Sequence, residues 1–476
     1  MGFAPDEDMI MMVTAGSRGI RRAFIGFFLL WMALAVRAED EVARFQLEKI
    51  TVTGAREAAG RIVAAETLLR AGESYGEAEL AQAVARVQRL PFVLAAEFSL
   101  RKGGARGTYE LVIEVEEARR FFFDHTVRGT WLAQPLDLDD SVTFDEESVA
   151  VSLPGLIGLR RFIGRSGVVF AGLDSAEGLQ LGFTRYDLFG RGVVVSAGVS
   201  GLLADICCAE EVLPFSLDPS FVSWTWEDAA RYSVELGVPL NRTDALRLGA
   251  SRRTGEGGSR RELFGTRFRF LDGFVDAAPG SDLTLDRAEL KWGRDTSDDP
   301  LLPHRGSTLS AGLEWTSFTT GALQRKRLAN LFTPEPLPAQ EAEQLAAVIS
   351  GRHHWAVTPR QTVSALGRLS VGRASLHNLP TEDGVLAREE LDTFAASLGA
   401  RHAVRLRRER GAQGFGDVLL ESTVEVGFES TTPDLQPSRA PNPLERLEIS
   451  TGLVFRNAWG RLRFVATYLD LGEVLR

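Results

Sequence analysis

The sequence predicts a mainly β protein: a transmembrane antiparallel β-barrel of about 12 to 16 strands, preceded by one small α+β module. Three observations predict it. Ala288, Leu290 and Trp292 alternate with Arg287, Glu289 and Lys291, and beyond a Pro/Gly turn Leu309, Ala311, Leu313 and Trp315 alternate with Ser310, Gly312 and Glu314. One face of such a hairpin is apolar and the other charged; lipid covers the first in a barrel, and a wet lumen takes the second. The same pattern recurs in about thirteen segments between Val168 and Asp470. Past residue 38 no run of about 20 apolar residues occurs, so a membrane crossing must use a closed barrel, the one β form that satisfies every backbone group in lipid.

Composition removes several function classes. The 476 residues carry 54 basic and 64 acidic side chains, a formal charge of -10, with no Lys/Arg cluster. Nucleic acid is therefore not an expected partner. Arg18, Arg21 and Arg22 precede an apolar run from Ala23 to Ala35, and Val36-Arg-Ala38 offers small residues to a signal peptidase, so residues 1–38 read as a secretory signal. The two cysteines, Cys207 and Cys208, are adjacent; they staple no distant segments and suit an exposed loop. No cofactor or metal is expected.

Residues 45–117 form the module. A strand is expected from Leu47 to Thr53, a helix from about Arg61 to Arg70, and a second helix from Glu77 to Leu90 with Leu80, Ala83, Val84, Val87 and Leu90 on one face. Pro91 ends it. Strands follow at Ala96–Lys102 and Thr108–Glu116, the second alternating Tyr109, Leu111, Ile113 and Val115 with Glu110, Val112 and Glu114.

The barrel is placed at 168–476, with 118–167 open between a linker and further strands that include Phe121–Trp131. Strands are read at Val168–Asp174, Leu179–Tyr186, Val193–Gly201, Tyr232–Leu240, Leu246–Arg253, Thr284–Arg294, Thr308–Thr316, His353–Val357, Val363–Ala374, Thr393–Leu406, Val418–Ser430, Leu444–Phe455 and Leu462–Asp470. Bacterial barrels normally close with an even count, which favours about 12, 14 or 16. Short connections at 186–192, 241–244 and 295–306 alternate with long ones at 202–231, 254–283 and 318–352, and Ala339–Ser350 reads as a short surface helix. Arg287, Glu289, Lys291, Glu314 and Glu425 are the expected lumen charges.

Ile50-Thr-Val-Thr-Gly54 opening the module and Tyr109-Glu-Leu-Val-Ile-Glu-Val115 closing it, in the order strand, helix, helix, strand, strand, resemble a POTRA domain. Where that domain usually has an aromatic-Gly turn, this chain has Leu90-Pro-Phe-Val93. Asp187-Leu-Phe-Gly190 with Gly192, and the turn built on Asp299, Pro300, Pro303, Arg305 and Gly306, are similar to two periplasmic turns of the BamA/TamA outer-membrane assembly family. That family's Val-Arg-Gly-aromatic loop motif is absent from 376–391; Val127-Arg-Gly-Thr130 carries similar letters much earlier. The resemblance implies an outer-membrane location with the module in the periplasm. It further implies insertion of outer-membrane proteins, or passage of polypeptide or lipid across that membrane. The implied partners are outer-membrane lipid, unfolded polypeptide clients and periplasmic accessory proteins.

Enzymatic chemistry is not expected. There is no Gly-x-Ser-x-Gly elbow, and the six histidines lack zinc spacing. Strand addition at Ala96–Lys102, marked by Phe98 and Leu100, is the expected client contact, and a seam between Val168–Asp174 and Leu462–Asp470 the expected gate. Two other readings stand beside this one: a passive pore or surface receptor, and a soluble periplasmic β protein whose strands pair into a sandwich.

Overall fold

Ladder pairing between successive strands carries the chain around a closed ring in the computed structural model. It describes residues 44–133, 148–152, 155–174, 178–202, 210–212, 223–257, 273–277, 282–300, 302–321, 323–327, 330–337, 339, 341–380, 386–408, 416–433 and 444–471. The expected signal, the Cys207-Cys208 pair and most of the long loops lie outside the described residues.

The module comprises β1 (Arg44–Thr53), α1 (Glu57–Glu66), β2 (Ser74–Gly76), α2 (Glu77–Gln88), β3 (Val93–Lys102) and β4 (Thr108–Glu117). Its sheet runs β2-β1-β4-β3, with β1 parallel and β3 antiparallel to β4. In α2 the three-and-four spacing buries Leu80, Ala83, Val84 and Val87 against that sheet, each large side chain contributing about 1.5 to 3 kcal/mol. Glu79 accepts the Gly76 N–H at 2.8 Å and closes the helix start. The first helix begins earlier than the sequence predicts and stops at Glu66, because Leu68 turns back with φ 54.

The barrel wall is built from β5 (Phe121–Ala133), β6 (Ser148–Ser152), β7 (Gly155–Ile163), β8 (Gly167–Asp174), β9 (Gly178–Leu188), β10 (Val193–Leu202), β11 (Glu210–Val212), β12 (Ser223–Pro239), β13 (Asp244–Gly257), β15 (Asp282–Asp295) and β16 (Arg305–Thr320). It continues through β19 (Glu341–Thr358), β20 (Gln361–Pro380), β21 (Leu386–Arg408), β22 (Asp417–Pro433), β23 (Leu444–Asn457) and β24 (Gly460–Leu471). A separate three-stranded sheet joins β14 (Gly273–Ala277), β17 (Leu323–Arg327) and β18 (Asn330–Leu337). β6 and β7 meet β5 in one continuous register, from Arg128↔Ser152 to Phe121↔Leu159, so they count as one strand. β11 extends the pairing of β12 beyond β10. Counted this way, fifteen strands close the ring among the described residues.

Three expectations are corrected. The count is odd, not even, so the first and last strands run parallel: β24 pairs with β5 from Gly460↔Phe123 to Asp470↔Ala133. The closing partner of β24 is therefore Phe121–Ala133, not Val168–Asp174, which lies two strands further in as β8. Residues 341–350 are strand, not helix, because β19 is paired on both sides, by β16 and β20. There Ala342, Ala346 and Val348 are buried while Leu345 is exposed, the two-residue period of a wall.

Outer faces expose Leu159, Leu173, Leu248, Leu290, Leu313 and Val424, a surface that water alone would not tolerate at this extent. No helix among the described residues is long and apolar enough to cross a membrane.

Candidate functional site

Pro91 stops α2 and leaves Phe92 at the corner leading into β3, where a bulky apolar side chain needs cover. It finds that cover on the barrel. Phe92 is 1% exposed and stands edge-on to Phe162 of β7 at 5.0 Å and to Tyr186 of β9 at 6.1 Å. Val168 and Val194 join the same apolar cluster, so the core of the module continues into one end of the barrel.

Polar contacts surround this anchor. Arg160 donates to the Pro91 carbonyl and stacks over Phe122 at 4.4 Å. Arg456 donates to the Val93 carbonyl at 2.9 Å, and the Arg119 N–H donates to Ala458 at 2.9 Å. Arg242, in the β12–β13 turn, pairs with Glu79 of α2 and lies over Tyr75 at 5.0 Å. Arg89 reaches Asp295 at 2.9 Å and the Ser297 carbonyl at 3.0 Å; burial lowers its pKa, and Asp295 opposes that shift. Glu66 pairs with Arg86 at 2.8 Å, and burial raises its pKa against the pull of Arg86.

The β15–β16 turn folds inward. Asp298 accepts the His304 N–H at 2.9 Å, Asp299 accepts the Leu302 N–H at 3.2 Å, and Gly306 takes φ 97. This drives Leu302, fully buried, among Ala403, Leu419 and Val454, inward residues of β21, β22 and β23. Arg405 then meets Asp299 at 3.1 Å and Asp417 at 3.6 Å. Pro300 and Pro303 flank the buried leucine, and Arg305, exposed, approaches Asp298 at 3.8 Å.

The β9–β10 turn is tight for a stated reason. Asp187, Phe189, Gly190 and Gly192 have φ of 51, 63, 67 and 69. The Asp187 carboxylate accepts the Gly192 N–H at 2.9 Å. A Cβ on Gly192 would lie 2.6 Å from Leu68 of the module, so only glycine lets the turn approach it. Leu188 ends β9, and Phe189 is 83% exposed.

Above the module's corner lies a cavity of about 770 Å³ lined by Arg86, Arg89, Lys291, Glu314, Arg352 and Glu425 among others. Lys291 bonds Glu289 at 2.6 Å and Glu314 at 2.8 Å, and Arg287 shares their face of β15. Of the sequence-derived lumen charges, Lys291, Glu314 and Glu425 line this cavity, and Glu289 is bound to Lys291.

A second cavity, about 630 Å³, is a groove shared by β3, β4 and the β23–β24 turn. Leu94, Ala95, Ala96 and Glu97 line one end, Asn457 and Ala458 the other, with Asp299, Arg405 and Arg456 between. β3 is an edge strand, paired only with β4. Phe98 and Leu100 pack on the module core, leaving backbone at that edge; Gln88 already donates to the Ala96 carbonyl at 2.7 Å. At the seam, Arg461 grips Asp124 at 2.5 and 3.1 Å. Sequence reasoning missed Arg89, Phe92, Arg242, Arg456 and Leu302. The one available signal was Phe92, a large apolar residue in a turn.

No family model matches the sequence, and no curated protein matches it. Among solved structures, the chain is similar to BamA from Haemophilus ducreyi lacking POTRA domains 1-3, at 12% identity and a TM-score of 0.38, covering 90% of this chain and 81% of that one. It is similar to CdiB from Acinetobacter baumannii at 8% identity and a TM-score of 0.36, covering 87% and 70%. CdiB from Escherichia coli matches at 12% identity and a TM-score of 0.28, covering 89% and 86%. The barrel described above rests on its own strand pairing.

Proposed function

We propose that this chain is a Gram-negative outer-membrane barrel of the BamA/TamA type whose POTRA-like module sits in the periplasm. In this reading it helps an extended polypeptide, or a lipid, into or across the membrane without covalent chemistry. The observation that carries the proposal is the groove that brings Leu94–Glu97 of the edge strand β3 together with Asn457 and Ala458 of the β23–β24 turn. An incoming segment adds to β3 through backbone hydrogen bonds, which demand little of its sequence. The groove then leads it to the β23–β24 turn, next to the β24–β5 seam, which is the one parallel strand pair of the ring among the described residues. Parallel pairing is slightly weaker per residue than antiparallel pairing, so this seam is weaker than an antiparallel one of equal length would be.

A cysteine pair across the seam tests this. With Cys207 and Cys208 changed to Ser, His125→Cys and Leu462→Cys occupy partner positions of the seam register. Oxidised protein is expected to leave client polypeptides in the periplasm of depleted cells, and reduction to restore their assembly. Equal rescue by the locked form overturns seam opening; no client accumulating on depletion overturns the assembly role.

The charged cavity supports a passive pore or receptor as the second reading. The seated module corner and the inward β15–β16 turn weigh against steady conductance. A soluble sandwich has no support in a wall that closes on itself, and carbonate washing of membranes checks that point.

A further inference from the structure

We infer that the outer wall over β7 to β10, at the end where the module docks, is a binding surface for anionic phospholipid headgroups; this rests on the membrane reading above. Residues 155–202 contain five arginines, Arg160, Arg161, Arg165, Arg185 and Arg191. Arg160 faces inward to the module. The other four are exposed and cluster toward the module end: Arg161 and Arg185 on the wall, Arg165 and Arg191 in the two turns. Among the described residues, no ion pair or hydrogen bond engages any of these four guanidinium groups.

Strand register puts the two wall arginines on the same side. Arg161 lies opposite Val169 and Arg185 opposite Gly167, so they flank β8 on the face that Gly167 and Val169 share. Arg161 shares its face with Ile157, Leu159 and Ile163, and Arg185 shares its face with Leu181 and Phe183, all exposed. The described acids of this stretch do not neutralise them. Asp174 ends β8 at the opposite end, and the carboxylate of Asp187 is held by the Gly192 N–H.

Uncompensated guanidinium groups at the margin of an apolar wall match one ligand chemistry: a phosphate on acyl chains. The fork of arginine takes phosphate oxygens in pairs, while its stem and the neighbouring Ile163 and Phe183 lie along the tails. A neutral headgroup would leave the cluster's charge unbalanced, so phosphatidylglycerol is favoured over phosphatidylcholine.

The test offers full-length protein in detergent an equimolar mixture of phosphatidylglycerol and phosphatidylcholine and counts retained lipid by native mass spectrometry. Wild type is expected to retain the anionic lipid preferentially, and R161Q/R185Q to weaken that preference roughly 30-fold, the order expected for removing two surface cations. R252Q/R294Q serves as the control, because Arg252 pairs with Asp286 at 2.7 Å and Arg294 with Asp244 at 4.0 Å; its preference is expected to match wild type. Equal retention of both lipids by wild type, an equal loss in the control, or displacement by inorganic phosphate overturns the inference. Flotation with phosphatidylcholine vesicles separates the two failures: protein that inserts without lipid preference sinks this inference alone, whereas protein that never inserts sinks the membrane reading.

Discussion

Phe92 occupies a turn, where polar residues are the rule, yet it is 1% exposed because the barrel wall supplies Phe162 and Tyr186 as its cover. Phe92→Ala removes both ring contacts and opens a hole at the junction. The expected cost is about 3 to 5 kcal/mol, shared between module stability and docking. Limited proteolysis and thermal unfolding in detergent read it, with Phe92→Leu expected to cost distinctly less. Glu66 makes a pH prediction. Burial raises its folded pKa above the ordinary carboxylate value of 4.5, against the opposing charge of Arg86. Between that value and the raised one, the folded state holds a proton that the unfolded state has released, so stability falls as pH rises through this window. Glu66→Gln is expected to erase that slope while leaving the pH-independent loss of the Arg86 ion pair; unchanged slopes in paired melts at several pH values would count against it.

At the scale of elements, the β15–β16 turn acts as one inward latch, with Leu302 in its apolar pocket and Asp299 on Arg405. Leu302→Ala is expected to cost about 2 to 5 kcal/mol. Asp299→Asn added to it is expected to cost less than it does alone, because both contacts hold the same turn. Heat-dependent gel mobility of the single and double variants measures this; strict additivity would mean the two contacts act independently. The turn itself was legible in the sequence, since Pro300, Pro303 and Gly306 leave the chain few other conformations, but its destination was not. Arg405 and Leu419 lie far away in sequence, and no local period announces such a meeting. Thirteen wall strands were legible because apolar and polar residues alternate along them. Those within 118–167 are less legible because Phe121, Phe122 and Phe123 run without alternation. The Ala-rich start of β19 reads locally as helix, and pairing on both sides overrides that preference.

For the whole molecule, the module and the barrel share one apolar cluster, so the module is seated on the wall and not merely tethered to it. Two consequences oppose each other. The seated corner and the inward turn occupy the end of the lumen where Arg89 meets Asp295 and Ser297. The second half of β3, by contrast, keeps Glu97, Ser99, Arg101 and Lys102 exposed in the same arrangement. A resting protein of this kind is expected to conduct poorly in a planar bilayer while still binding extended peptide at β3. Arg89→Ala with Phe92→Ala removes the ion pair and the aromatic anchor together, leaving Arg160–Pro91, Arg119–Ala458, Arg242–Glu79 and Arg456–Val93 to hold the module. Steady conductance is then expected to rise, because the charged cavity above the corner becomes continuous with bulk water on the module side. Wild-type protein that already conducts as strongly as the double variant would show that the corner does not close the lumen, and would move the reading toward a passive pore.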